Sequence, residues 1–122
     1  MNQVSDILIT HEPISESTLH KYCTMWFGNM VKVVIDIQTG EIALGGALHA
    51  DGEALLLNRG SLPENLWGAN IYPENKPGHQ IEYTALINIR PHQNNTSMHI
   101  QDETVKNKVH KVIQKLVPIA AQ

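Results

Sequence analysis

Two apolar runs separated by a short polar segment constrain the fold of this chain more than any other part of it. The first run, VKVVIDI at residues 31–37, places an apolar side chain at every second position, as a half-buried strand does. The polar segment QTGE follows, and the second run covers residues 42–48. Because turn residues between two such runs are typical of a β-hairpin, we predict one here. Gly45 and Gly46 would weaken a regular strand, so they indicate a bulge or a close approach of another backbone.

Helical periodicity is found near both ends of the chain. After Ser15, which is suited to cap a helix, apolar side chains follow the spacing of a one-sided helix as far as Gly28, which is suited to end it. Asp102 stands in the same capping position before a second such stretch. The two apolar stripes are Leu19, Tyr22, Cys23 and Trp26, and Val105, Val109, Val112, Ile113 and Leu116. We therefore predict an N-terminal and a C-terminal helix.

The segment ADGEALLLNRG, residues 50–60, is compatible with two structures. Its Asp-Gly pair favours a tight turn into a third strand, whereas Asp51 followed by Glu53 could equally open a short helix. We predict the strand. Further short strands are expected at ANIY, residues 69–72, and at SMHI, residues 97–100.

The segment IEYTALINIRP, residues 81–91, alternates with a period of two and predicts one continuous strand. One side is mostly apolar, and the other carries Glu82, Thr84, Leu86, Asn88 and Arg90. An apolar residue in the centre of this second side indicates that something covers it. Asparagine has low strand propensity, so its presence in mid-strand suggests a specific hydrogen bond. An ordinary solvated sheet face is the alternative.

These elements predict an α+β fold, a mainly antiparallel β-sheet with the N-terminal and C-terminal helices packed on one face. A chain of 122 residues is expected to form a single domain, residues 1–122. Hydrophobic residues at 42% and charged residues at 17% are usual for a globular protein, which argues against a disordered or fibrous chain.

The composition also bears on location and partners. The one cysteine, Cys23, cannot form an internal disulfide, and the N-terminus lacks the pattern of a secretory signal, so we expect a cytoplasmic protein. No apolar run approaches the length of a membrane span. A net charge of -3 with scattered lysine and arginine argues against nucleic acid and anionic lipid as partners.

The segment HADGE holds the candidate catalytic residues. His49, Asp51 and Glu53 could supply one imidazole and two carboxylates to an acid-base pair or to a metal. Their spacing matches no established metal motif, and the alternative is a simple turn, so we predict no metal site. The sequence does not identify a cofactor.

The candidate ligand-binding residues lie on two segments. In WGANIYP, Asn70 and Tyr72 could orient and cover a ligand, while Trp67 fits a structural role better. On the polar side of residues 81–91, the candidates are Glu82, Thr84, Asn88 and Arg90. The guanidinium would suit a carboxylate or phosphate, unless it braces carbonyls of the protein itself.

These candidates favour a small binding or interaction module that uses the polar face of its sheet. Its partner would be a small anionic molecule or a protein. The alternative is a small hydrolytic or metal-dependent enzyme using His49, Asp51 and Glu53, and their convergence in one cleft would favour it. A homo-oligomer formed through a sheet edge or an uncovered Leu86 is a third class.

The blocks VKVVIDIQTGEIALGGALHAD, NLWGANIYP and IEYTALINIRP, in this order, resemble a small bacterial family of uncharacterised proteins, defined by a domain of unknown function. The resemblance runs from about Pro13 to the final helix. The family usually carries an acidic residue at the position of Ala47, and Gly and Arg at those of Asn94 and Thr96. It implies a shared fold and no specific activity.

Overall fold

The computed structural model describes residues 6–120, in which five antiparallel strands form one sheet with the order β1-β3-β2-β4-β5. The strands are β1 (Leu8–Thr10), β2 (Val31–Asp36), β3 (Ile42–Leu44), β4 (Leu66–Ile71) and β5 (Ile81–Glu82). The helices are α1 (Glu16–Trp26), α2 (His49–Asn58) and α3 (Glu103–Leu116). The predicted α+β class is confirmed. None of these helices within residues 6–120 is both long and apolar enough to span a bilayer.

The predicted hairpin forms between β2 and β3, where Ile35 lies opposite Ile42. Its turn is held by Asp36, whose Oδ1 accepts hydrogen bonds from the backbone N–H groups of Gln38 and Thr39, at 2.8 and 3.0 Å. After β3, the two adjacent glycines take positive φ values. A Cβ on Gly46 would lie 2.9 Å from the side chain of Ile7. A larger residue at this position would therefore force Ile7 to move.

One face of the sheet is covered by α1 and α3, as predicted. Ser15 caps α1 by accepting from the Thr18 N–H at 3.1 Å, and Asp102 caps α3 by accepting from two backbone N–H groups. The buried side chains of both helices pack on alternate residues of the strands. This main core comprises Leu19, Cys23, Val31, Val33, Ile35, Ile42, Leu44, Trp67, Ala69, Ile71, Ile100, Val109, Ile113, Leu116 and Val117.

The opposite face, which we call the second face, is covered in part by α2. The prediction of a strand over residues 50–60 is therefore wrong. The pattern of burial is that of a helix. His49, Gly52 and Leu56 lie at helical spacing and are buried, whereas the apolar neighbours of Leu56 are not fully buried. A Cβ on Gly52 would lie 3.1 Å from that of Ala43, so this glycine brings the helix close to the sheet.

The prediction of one continuous strand over residues 81–91 is also wrong. Only β5 pairs with β4, and the chain then forms a 3-10 turn, Leu86–Asn88. Ala85, which directly precedes this turn, and Asn88, which ends it, are both buried. Burial therefore follows a period of three residues rather than two. The SMHI segment forms a single bridge between Thr84 and His99 instead of the predicted strand.

Candidate functional site

A row of three polar side chains crosses the second face. Lys32 of β2 lies opposite Asn70 of β4, which in turn lies opposite Glu82 of β5. Neighbouring strands are about 4.8 Å apart, so the row brings a cation, an amide and a carboxylate into adjacent positions. We call these residues the polar row.

The polar row forms the floor of a cleft of about 370 Å³, which we call the sheet-face cleft. One wall comes from the start of α2 and the other from the segment that contains the 3-10 turn and Met98. The lining residues are Lys32, Leu48, His49, Ala50, Asn70, Glu82, Thr84, Ala85, Leu86, Ile87 and Met98. This volume lies within the usual range of small-molecule sites.

Asn70 is the central residue of the polar row, and only 7% of it is exposed. Its Nδ2 donates to Glu82 Oε1 at 2.8 Å and to the carbonyl oxygen of Thr84 at 3.3 Å. Its Oδ1 is buried, and the Asn70 side chain also interacts with the imidazole of His49. Asn70 therefore connects the polar row to α2.

Glu82 is exposed at the edge of the cleft and is oriented by its neighbours. Besides the bond from Asn70, it interacts with Tyr72, whose pKa is raised, first by burial and then by the negative charge of Glu82. Within the described chain, no lysine or arginine forms an ion pair with this carboxylate. Its negative charge is therefore available at the cleft.

His49, the first residue of α2, is buried and lies 2.8 Å through Nε2 from the carbonyl oxygen of Ala69. Because a carbonyl only accepts, Nε2 carries the proton in this bond. Burial lowers the pKa of His49, and the positive charge of Lys32 acts in the same direction. The Ala69 bond, the Asn70 side chain and Glu82 oppose the shift without cancelling it. The imidazole is thus neutral at neutral pH.

The rim of the cleft is apolar and unusually exposed. Leu86 is 70% exposed, Leu48 is 60% exposed, and Met98 also lies open to solvent. Thr84, which lines the cleft between them and the polar row, is half-buried. The cleft thus combines a polar floor with apolar walls, as small-molecule sites usually do.

Three predicted ligand-binding residues, Tyr72, Asn88 and Arg90, do not line the cleft. Asn88 is fully buried, and its amide pairs with both backbone groups of Gly68 while also donating to the Met98 carbonyl. This is the specific hydrogen bond that an asparagine in this segment suggested. All of the polar atoms of its side chain are bound to the protein's own backbone.

Arg90 is also buried and does not line the cleft. Its guanidinium donates to the carbonyl oxygens of Pro63, Leu66 and Ile87, and it lies 4.4 Å from the centroid of the Trp67 ring. Burial lowers its pKa from the ordinary value. This geometry matches the bracing role that the sequence left as the alternative to anion binding.

The three candidate catalytic residues do not meet in one cleft. His49 lines the sheet-face cleft, whereas Asp51 and Glu53 do not. Glu53 acts electrostatically on Arg90 instead. Within residues 6–120, no group of three histidine, cysteine or acidic side chains could hold a metal ion.

A second cleft of about 340 Å³ lies between α1, the loop of residues 73–80 and the segment after α3. Cys23 lines it, and burial raises the pKa of this thiol, with Glu74 acting in the same direction. The described residues that line it include no lysine or arginine, so it lacks the pair of opposite charges found in the sheet-face cleft. It is therefore the weaker candidate.

Six cleft residues were not predicted from the sequence. They are Lys32, Leu48, Ala50, Ala85, Ile87 and Met98. Lys32 carried a usable signal, because it is the first of only two charged residues in β2, a strand whose other side chains are buried. The apolar residues carried none, since the exposure of an apolar side chain depends on the tertiary structure.

Comparison with known proteins identifies one family. No curated protein and no solved structure matches the chain. The model of a family described as "protein of unknown function (DUF5674)" matches residues 8–116, which include all of the elements described above. The chain belongs to the DUF5674 family.

Proposed function

We propose that this protein is a binding module that holds a small, partly apolar molecule in the sheet-face cleft. The observation that carries the proposal is a cleft of about 370 Å³ whose floor holds a cation, an amide and a carboxylate in adjacent positions. Polar groups placed in this way can orient a ligand whose apolar part lies against the walls.

Two further features support binding at this place. The cleft contains charged groups that the described residues leave without ion pairs, and its walls expose Leu48 and Leu86. Exposed apolar side chains beside oriented polar groups are typical of ligand sites, because the first give contact area and the second give orientation. The enzyme alternative lacks this support, because only His49 of its three residues lines the cleft.

A fragment screen by protein-observed NMR tests the proposal. We expect fragments that have an apolar part and a polar head to shift the amide signals of His49, Asn70 and Glu82. The variant Ala50→Trp should block binding, because Ala50 is an exposed cleft-lining residue in the first turn of α2. Ala47→Trp is the matched control, since Ala47 is exposed and does not line the cleft.

Two results would contradict the proposal. Fragments that bind Ala50→Trp as well as the unmodified protein would place binding elsewhere. A screen in which no fragment shifts the cleft signals would remove the support for a small-molecule site.

A further inference from the structure

The rim of the sheet-face cleft exposes more apolar surface than a single ligand below it would cover. Leu86 and Leu48 are the two most exposed large apolar side chains within residues 6–120, and Met98 is exposed beside them. Exposed apolar side chains that are grouped together, and not scattered singly, are typical of a surface that a partner covers.

These apolar side chains stand at both ends of the polar row. Leu48 lies at the Lys32 end, because α2 begins directly after it and packs on β2 and β3. Leu86 and Met98 lie at the Glu82 end, because the chain passes from β5 into the wall that contains them. The order across the second face is therefore apolar, cationic, amide, anionic and apolar.

The two charges of the row are accessible to another molecule. Neither Lys32 nor Glu82 forms an ion pair with any of the described residues. The Nζ atom of Lys32 lies 5.3 Å from the centroid of the ring of Phe27, an exposed side chain that does not line the cleft. Glu82 is exposed at the edge of the cleft. Both charges thus lie near the opening.

This order is complementary to itself. A two-fold axis that runs along β4, above Asn70, reverses the polar row and brings Lys32 opposite the partner's Glu82. The same rotation brings the apolar wall at α2 opposite the apolar wall that contains Leu86 and Met98. Because such an interface is symmetric, each of these contacts occurs twice.

We infer that the protein forms a homodimer through the second face, in which Lys32 pairs with the partner's Glu82 and Leu48 packs against the partner's Leu86. The partner is a second copy of this chain because the charges and the apolar residues of the surface match their own reversed order. The inference goes beyond the proposed function and does not require it. A ligand in the sheet-face cleft would lie between the two copies.

Sedimentation velocity measures the dimer in the absence of any fragment. At about 100 µM we expect twice the mass of one chain, and Leu86→Asp should raise the Kd of the dimer about tenfold or more. Leu62→Asp is the matched control, because Leu62 is 54% exposed and does not line the cleft. This control variant should dimerise as the unmodified protein does.

An exchange of charges tests the order of the contacts. Lys32→Glu and Glu82→Lys each place like charges opposite each other in a homodimer, so each variant alone should dimerise about tenfold or more weakly. An equimolar mixture should form heterodimers, because one variant then presents two carboxylates where the other presents two ammonium groups. A contact within one chain would gain nothing from mixing, so a local structural defect does not give this result.

Three results would overturn the inference. They are a protein that stays monomeric at about 1 mM, a dimer that Leu62→Asp weakens as much as Leu86→Asp does, and charge variants that do not associate when mixed. The proposed function is tested separately by the fragment screen. Fragments that shift the cleft signals of a monomeric protein would support the binding module alone, and a dimer to which no fragment binds would support the interface alone.

Discussion

Asn88 pairs with Gly68 as a neighbouring strand would. Its Oδ1 accepts from the Gly68 N–H at 2.9 Å, and its Nδ2 donates to the Gly68 carbonyl oxygen at 3.0 Å. One side chain thereby satisfies both backbone groups of a central residue of β4 at a point where β5 has already ended. The sheet is continued here by an amide side chain instead of by backbone.

Replacing this asparagine should therefore be costly. In Asn88→Ala, two buried backbone groups of Gly68 lose their partner, and we expect a loss on the order of 3 kcal/mol in the free energy of unfolding. Urea denaturation measures it. The control is Asn75→Ala, which removes an exposed bond to the His79 carbonyl and should change stability by less than about 0.5 kcal/mol. Similar losses in both variants would show that Asn88 is not a required partner of β4.

Arg90→Lys should destabilise the protein and leave the sheet-face cleft intact. Lysine keeps the positive charge, but it cannot reach the carbonyl oxygens of Pro63, Leu66 and Ile87 together, so we expect a loss of about 2 kcal/mol. Thermal and urea unfolding provide the measurement. Arg59→Lys is the control, because this arginine pairs with Glu41 at the exposed surface and its replacement should have little effect.

Cleft binding gives a second readout for the same variant. Because Arg90 does not line the cleft, fragments that bind there should bind Arg90→Lys equally well below its melting temperature. If Arg90→Lys is as stable as the unmodified protein but no longer binds anionic fragments, Arg90 is a ligand-binding residue and the bracing role is wrong.

The stability of the protein should fall as the pH decreases below about 6.5, in part because of His49. The folded state lowers the pKa of this histidine, so between the two pKa values the unfolded chain binds the proton and the native chain does not. Unfolding then takes up a proton, and stability falls with pH until the folded pKa is passed. In His49→Gln this component should be absent, so comparing unfolding free energies at pH 7.5 and 5.5 isolates it. An identical pH dependence in both proteins would show that His49 does not contribute.

Gly68→Ala should be destabilising for steric reasons. A Cβ at this position would lie 2.5 Å from Ala85 Cβ and 3.0 Å from the His49 ring, so the turn and α2 would have to move. Overpacking of this kind typically costs about 1–3 kcal/mol. The double variant Gly68→Ala with Ala85→Gly should recover part of the loss, because it removes the nearest atom. If it recovers nothing, the contact is not the cause.

Much of the fold could be predicted because local signals agreed with the tertiary structure. Ser15 and Asp102 lie at the helix starts that their capping chemistry indicated, and residues 31–48 contain the predicted hairpin. In these segments the periodicity of the apolar residues matches the face that is buried. The class of the fold and the packing of α1 and α3 on one face followed from them.

The second face could not be predicted in this way, because the burial of its side chains depends on contacts between segments that are distant in the sequence. The run of leucines in α2 is apolar at consecutive positions, so its periodicity does not distinguish a buried strand from a helix. Asn88 was recognised as unusual in a strand, yet its partner Gly68 is 20 residues away. Of the predicted ligand residues, Asn70, Glu82 and Thr84 line one cleft, whereas Tyr72, Asn88 and Arg90 do not.

The polar row has a consequence for how the cleft comes into existence. Its three members come from three separate strands, and His49 adds a residue from α2, so no local segment contains a partial version of the cleft. The cleft forms only when these three strands pair, because separating any one of β2, β4 and β5 removes a member of the polar row. The amides of β2 and β4 that pair within the sheet should therefore exchange hydrogen mainly when the sheet opens, and a molecule bound in the cleft should slow their exchange.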